Sequence, residues 1–194
     1  MDTAGTANGA PPGDHLPVGR RLLGLGSGPA GLLRLVPVLL LLHNAEEALF
    51  VRGVLPQVAS RLPPALRGVV PAVTYPQFIV ALLVVTIVPF AVAFAGDLRR
   101  PGSATVFLLF VQSVLLVNVA SHLASAAFLR GYAPGLATAL AVNLPFSVLL
   151  LRRAHRERWV RGRTLAALLP AALLFHGPGL LAVIALAGWI SRRF

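Results

Sequence analysis

The sequence predicts an all-α polytopic bundle of about five membrane-spanning helices, and three observations predict it. Of the 194 residues, 57% are hydrophobic and only 12% are charged, whereas an ordinary soluble domain carries about 25% charged residues. The apolar residues are gathered into segments near the length of about 20 residues that a helix needs to cross a bilayer. Between those segments lie short stretches rich in Gly, Pro and Arg, which end helices and mark topology. The mean hydropathy of +0.81 agrees.

Charge narrows the class further. The net charge is +11, and all 17 basic residues are arginines. A basic chain can bind nucleic acid, but these arginines lie mostly between apolar segments. There they read as topology signals and as partners of anionic lipid headgroups, so membrane lipids are expected as partners and nucleic acid is not. The absence of cysteine excludes disulfides, thiolate metal sites and cysteine nucleophiles.

Residues 1–29 are rich in Gly, Pro, Ala and Thr and are expected to form a disordered tail, in which Asp14 and His15 are solvated. The tail has no short apolar core followed by a cleavage site, so no removed signal peptide is expected. Residues 30–194 form the expected membrane domain. Its first span runs from about Gly31 to Val51, with Arg34 at its mouth and Pro37 as a kink near its start. A Pro- and Arg-bearing connection, 52–74, follows, and its middle is expected on the membrane surface.

The second span, Tyr75 to Ala95, is apolar apart from Gln77 and Thr86, with Pro89 prone to kink. After a polar turn, the third span, Ala104 to Leu129, carries Gln112, Asn118, Ser121, His122 and Ser125. The fourth, Pro134 to Leu151, opens with a proline suited to a first helical turn and includes Thr138 and Asn143. The arginine-rich segment 152–163 precedes the fifth span, Thr164 to Ile190. That span is interrupted by His176-Gly177-Pro178-Gly179, as one kinked helix or two half-helices. Trp159 and Trp189 read as interfacial anchors. By the positive-inside rule the N-terminus lies in the cytoplasm, in a bacterial plasma membrane.

The first span is the unusual one. His43-Asn44-Ala45-Glu46-Glu47 puts an imidazole and two carboxylates where a charged side chain costs roughly 2.5–3.5 kcal/mol by insertion scales. Residues three and four apart share a helix face, so His43, Glu46 and Glu47 are expected to point together. Asn118 and His122 share a face of the third span at matching depth. Thr138, Asn143 and His176 fall near the same level. Facing helices of a bundle hold metals in this way, and imidazole with carboxylate suits Zn, Fe or Mn. Lone polar groups such as Gln112, Ser121, Ser125 and Asn143 fit equally well as glue between helices, worth about 1 kcal/mol each. Two adjacent acids exceed what packing needs.

These residues also carry a resemblance. The His43-Asn44-Ala45-Glu46-Glu47 stretch resembles the motif of the HXXEE-domain family of integral membrane proteins. Asn118 with His122, and Tyr132-Ala133-Pro134-Gly135-Leu136-Ala137-Thr138-Ala139, resemble two further features of that family. The likeness covers about 35–151. It implies a helical membrane protein with an enzymatic role, leaves the reaction open, and makes His176 the counterpart of a further family histidine.

The leading expectation is a metal-dependent intramembrane enzyme acting on a lipidic, isoprenoid-like or otherwise apolar small molecule by hydrolysis, isomerisation or cyclisation. His43 and His122 are the expected metal ligands, with Glu46 or Glu47 as the third and His176 as a fourth or supporting group. The other glutamate is expected to move protons, and Asn118 to orient a ligand or bond the substrate. Aspartate-rich diphosphate-binding motifs are absent, which disfavours ionisation of a prenyl diphosphate. Two rivals stand beside this reading. One is a small proton- or ion-coupled transporter, since intramembrane Glu and His also mark ion pathways. The other is a structural subunit whose polar groups glue helices together.

Overall fold

The computed structural model describes residues 28–61 and 73–193. Residues 1–27 of the expected tail, with Asp14 and His15, and residues 62–72 of the first connection lie outside the described residues. Among the described residues there are five helices and no strand: α1 (Pro29–Arg61), α2 (Tyr75–Ala95), α3 (Ser103–Leu129), α4 (Leu136–Arg156) and α5 (Gly162–Ser191). The last four are long and apolar enough to cross a membrane.

Helix α1 runs on past the expected end at Val51 to Arg61, carrying Pro56 inside it. One proline removes a single N–H from the ladder, and the extension is tied down at both sides. The Arg61 guanidinium donates to the carbonyl of Phe128 at 3.1 Å, and the Tyr75 hydroxyl donates to the Ala48 carbonyl at 3.2 Å. Helix α2 starts where Thr74 accepts the Gln77 N–H at 3.4 Å and a proline occupies the first turn, both ordinary helix-start devices. Helix α3 ends at Arg130, which adopts a left-handed conformation (φ 50) and donates its N–H back to the Ala126 and Ala127 carbonyls.

Two turns of π-helix interrupt the α-helical pattern. One, Ala139–Asn143, lies inside α4; the other, Phe175–Gly179, lies inside α5. The interrupted last span is therefore one continuous helix. Its Gly-Pro-Gly run widens a single turn without breaking the rod, and such wide turns cluster at functional sites.

Helix α3 is the most enclosed of the four apolar helices and touches each of the others. The first half of α5 packs on α3 and its second half on α2, while α1 packs against both α2 and α3. The apolar core, which includes Leu33, Val36, Ala93, Leu108, Leu150 and Trp159, gathers at the end where α1 begins, α2 and α4 finish, and α3 and α5 start. Trp159 is buried in that core, its indole N–H donating to Glu157 at 2.9 Å. Trp189 is exposed, with the Arg193 guanidinium 4.9 Å above its ring. Arg153 at 2.6 Å, and then Trp159, hold the Glu157 carboxyl below the usual carboxylate range.

Leu42, Leu49, Ile87, Leu173 and Leu174 all face outward, Leu49 with 77% of its surface open. Large apolar side chains in such numbers belong against lipid tails rather than water. On α1 the outward stripe of Val38, Leu41, Leu42 and Leu49 is apolar, and the inward one carries His43, Asn44 and Glu46. His43, Asn44 and Glu46 are thus turned into the bundle.

Candidate metal centre and its apolar cavity

His43 stands at the centre of the polar cluster with 1% of its surface exposed. The Asn118 side-chain nitrogen lies 2.7 Å from His43 Nε2 and donates to it, which leaves the ring proton on Nδ1. That proton goes to Thr138 Oγ1 at 2.8 Å, and Thr138 donates onward to the Gly135 carbonyl at 3.3 Å. Holding Nδ1 in this manner fixes the ring and aims the Nε2 lone pair, as in metal-bound histidines; that lone pair accepts from Asn118 here, so an ion bound there would take the place of the amide.

Two more groups converge on that lone pair. His122 Nε2 is 3.2 Å from His43 Nε2, and Glu47 Oε1 is 3.3 Å from His122 Nε2 and 3.9 Å from His43 Nε2. The two imidazole rings meet edge to face with centroids 4.9 Å apart. These three residues have the donor types and mutual reach to hold one metal ion. Donor atoms each about 2.0–2.1 Å from a tetrahedral ion sit about 3.3 Å apart, close to two of the three separations observed. The donor set therefore fits a divalent ion of the Zn, Fe or Mn kind.

Glu46 takes a different place. One of its oxygens accepts the Thr138 N–H at 2.7 Å; the other accepts the Ala137 N–H at 3.1 Å and the Tyr132 hydroxyl. The first N–H groups of a helix have no partner within it, and the Glu46 carboxylate satisfies them at the start of α4. Adjacent helical residues are turned about 100° from one another. Glu46 therefore faces α4 while Glu47 faces α3.

Gly135 joins the two halves of the site. Its φ of +86 lies in the left-handed region that glycine enters without penalty. A Cβ there would fall 2.6 Å from His122 Cε1 and 2.9 Å from Glu47 Cγ. The turn before α4 thus presses against both residues.

The other polar residues singled out in the sequence lie outside the group of three. His176, in the π-turn of α5, has Nε2 2.5 Å from Ser121 Oγ, while its Nδ1 is buried without a partner. Asn143 is fully buried in the π-turn of α4, and neither of its side-chain polar atoms has a partner. Gln112 donates to Ser147 at 2.7 Å, an interhelical bond of the packing kind. Two contributors escape a reading by charge and metal-ligand type: Asn44, which donates to Thr86 at 2.8 Å and ties α1 to α2, and Gly135. Their signal lay in the motif stretches themselves.

A cavity of about 360 Å³ opens beside the cluster, walled by α1, α2, α3 and α5. Phe78, Val85, Phe110, Val114 and Leu180 form part of its apolar wall, and Asn44, Glu47, Asn118 and His176 supply its polar side chains. Glu47 and Asn118 belong to both cavity and cluster. A wider depression of about 820 Å³, bordered by Arg158, Trp159 and Arg161, lies beyond the start of α3. It is about 28 Å along that helix from His122 at 1.5 Å per residue, too far to serve the cluster.

A relative in Bacillus subtilis (strain 168), the uncharacterized protein YrkK, is 31% identical over 113 residues, covering 57% of this chain and 66% of the relative. The chain therefore spans just under two thirds of that relative's length. No solved structure matches it. Residues 34–150 match the family described as proteins of unknown function with an HXXEE motif. The matched stretch holds His43, Glu46 and Glu47 on α1, Asn118 and His122 on α3, and the Gly135 turn. The chain belongs to this HXXEE family.

Proposed function

We propose that this chain is a metal-dependent intramembrane enzyme that acts on a lipidic or otherwise apolar small molecule by hydrolysis, isomerisation or cyclisation. The observation that carries the reading is the meeting of the apolar cavity with the His43, Glu47 and His122 group through Glu47 and Asn118. Small-molecule sites are concave and mostly apolar, with a few polar groups at the reacting end. His43 Nε2, His122 Nε2 and Glu47 Oε1 would hold the ion, with Thr138 fixing the His43 ring. A bound Zn, Fe or Mn ion would polarise an oxygen as a Lewis acid. Asn118 would orient the head of the substrate against it, and Glu46 keeps the start of α4, and with it Thr138 and Gly135, in place.

The family relative in Bacillus subtilis favours a bacterial plasma membrane. The six arginines of residues 152–163 favour a cytoplasmic placement of that segment and of the start of α1.

The test compares lipid extracts of cells expressing the wild-type chain with extracts of cells expressing Glu47→Gln, by mass spectrometry. The expected result is an apolar species consumed only by the wild type and replaced either by an isomer of equal mass, for isomerisation or cyclisation, or by two fragments whose masses sum to that of the substrate plus one water, for hydrolysis. Chelator should stop the conversion in isolated membranes. Identical extracts, joined by a pH or ion flux in wild-type proteoliposomes that Glu47→Gln abolishes, would contradict the enzyme and identify a transporter.

A further inference from the structure

The apolar cavity carries information about what it binds, because three of the four nitrogens on its polar side chains already have partners. Asn44 Nδ2 is committed to Thr86, and Asn118 Nδ2 to His43. Glu47 Oε1 faces the two histidines. His176 Nε2 is engaged with Ser121. His176 Nδ1 is buried without a hydrogen-bond partner while its residue forms part of the cavity wall. This nitrogen is itself closed off from the cavity, so the ring must turn slightly to offer it, and left unmet it costs about 1–3 kcal/mol.

Charge decides which kind of head group is suitable. Among the described residues lining this cavity there is no arginine, and the one ionisable acid is Glu47. In the metal-free chain a diphosphate or a free carboxylate would meet a carboxylate and neutral amides, with no guanidinium to balance it, in a wall of low dielectric where unpaired charge is most costly. An uncharged oxygen meets no such penalty. A hydroxyl both donates and accepts, so it satisfies His176 Nδ1 in either ring tautomer.

Volume sets the size. A cavity of about 360 Å³ equals roughly a dozen water-sized volumes of about 30 Å³ each, and so accommodates a chain of roughly a dozen methylene-sized groups.

We propose that the cavity binds an uncharged, single-headed apolar molecule, an isoprenoid- or acyl-chain alcohol or its aldehyde or ester, with the head oxygen bonded to His176 and the chain lying between α2 and α3. This rests on the cavity being the substrate chamber and does not depend on a bound metal.

Binding of radiolabelled farnesol to the full chain in mild detergent, with chelator present throughout, tests it. Saturable binding is expected, displaced by unlabelled farnesol and farnesal but not by farnesyl diphosphate or dodecanoate at equal concentration. His176→Phe, which keeps the bulk and removes the nitrogen, should weaken farnesol at least tenfold. Val85→Trp should abolish binding by filling the chamber. If that variant elutes as an aggregate, Val114→Phe replaces it. The proposal is overturned if farnesol does not saturate, if the diphosphate or carboxylate competes equally, or if His176→Phe binds as the wild type does. Saturable binding with no metal-dependent turnover would sink the enzymatic reading and leave this one standing. Turnover of an apolar compound without farnesol binding would do the reverse.

Discussion

Gly135 and His122 are packed so closely that a methyl group on the glycine Cα would come within 2.6 Å of the imidazole Cε1. The glycine also holds a φ of +86, which opposes any side chain. Gly135→Ala is therefore expected to lower stability by about 1–3 kcal/mol, the range for overpacking a filled interior, and to displace the His122 ring. Thermal unfolding in detergent followed by size-exclusion chromatography checks the first effect, and retained metal the second. An alanine variant with wild-type stability and metal content would show that the turn can move away freely.

The two adjacent glutamates are expected to fail in different ways. Glu46 accepts two backbone N–H groups and a tyrosine hydroxyl, and a carboxamide can offer only one of its two positions as an acceptor. Glu46→Gln should lose about 1–3 kcal/mol of stability yet bind metal when folded. Glu47→Gln should unfold near the wild-type temperature and lose the metal. Equal effects of both substitutions on both readouts would contradict this division of labour.

Asn143 offers a prediction of the opposite sign. It is fully buried with neither amide atom partnered, and an unsatisfied polar group is destabilising where an apolar one of similar shape is not. Asn143→Leu is expected to raise stability by about 1 kcal/mol without changing metal content. A variant less stable than the wild type would show that the amide is satisfied in the membrane.

These contrasts mark how far the sequence could be read. The helical bundle followed from segment length and apolar content, and the inward face of α1 followed from the spacing of His43, Glu46 and Glu47. The separation of the two acids did not, because it depends on which helix lies about 100° further round α1. The extension of α1 to Arg61 was hidden behind Gly53 and Pro56, which usually signal an ending. The wide turn at Phe175–Gly179 announced itself through Gly and Pro. The one at Ala139–Asn143 has no such residues and left no signal. The cavity was illegible for another reason: it is space left between four helices, and no single segment encodes it.

The most direct measurement is the metal content of the full chain, extracted in mild detergent without chelator, beside His43→Ala, His122→Ala and Glu47→Gln. The account predicts near-stoichiometric Zn, Fe or Mn in the wild type, lost in all three variants while each elutes as a folded species. A wild type free of metal after loading with each of the three ions, or variants that retain it, would contradict the central claim.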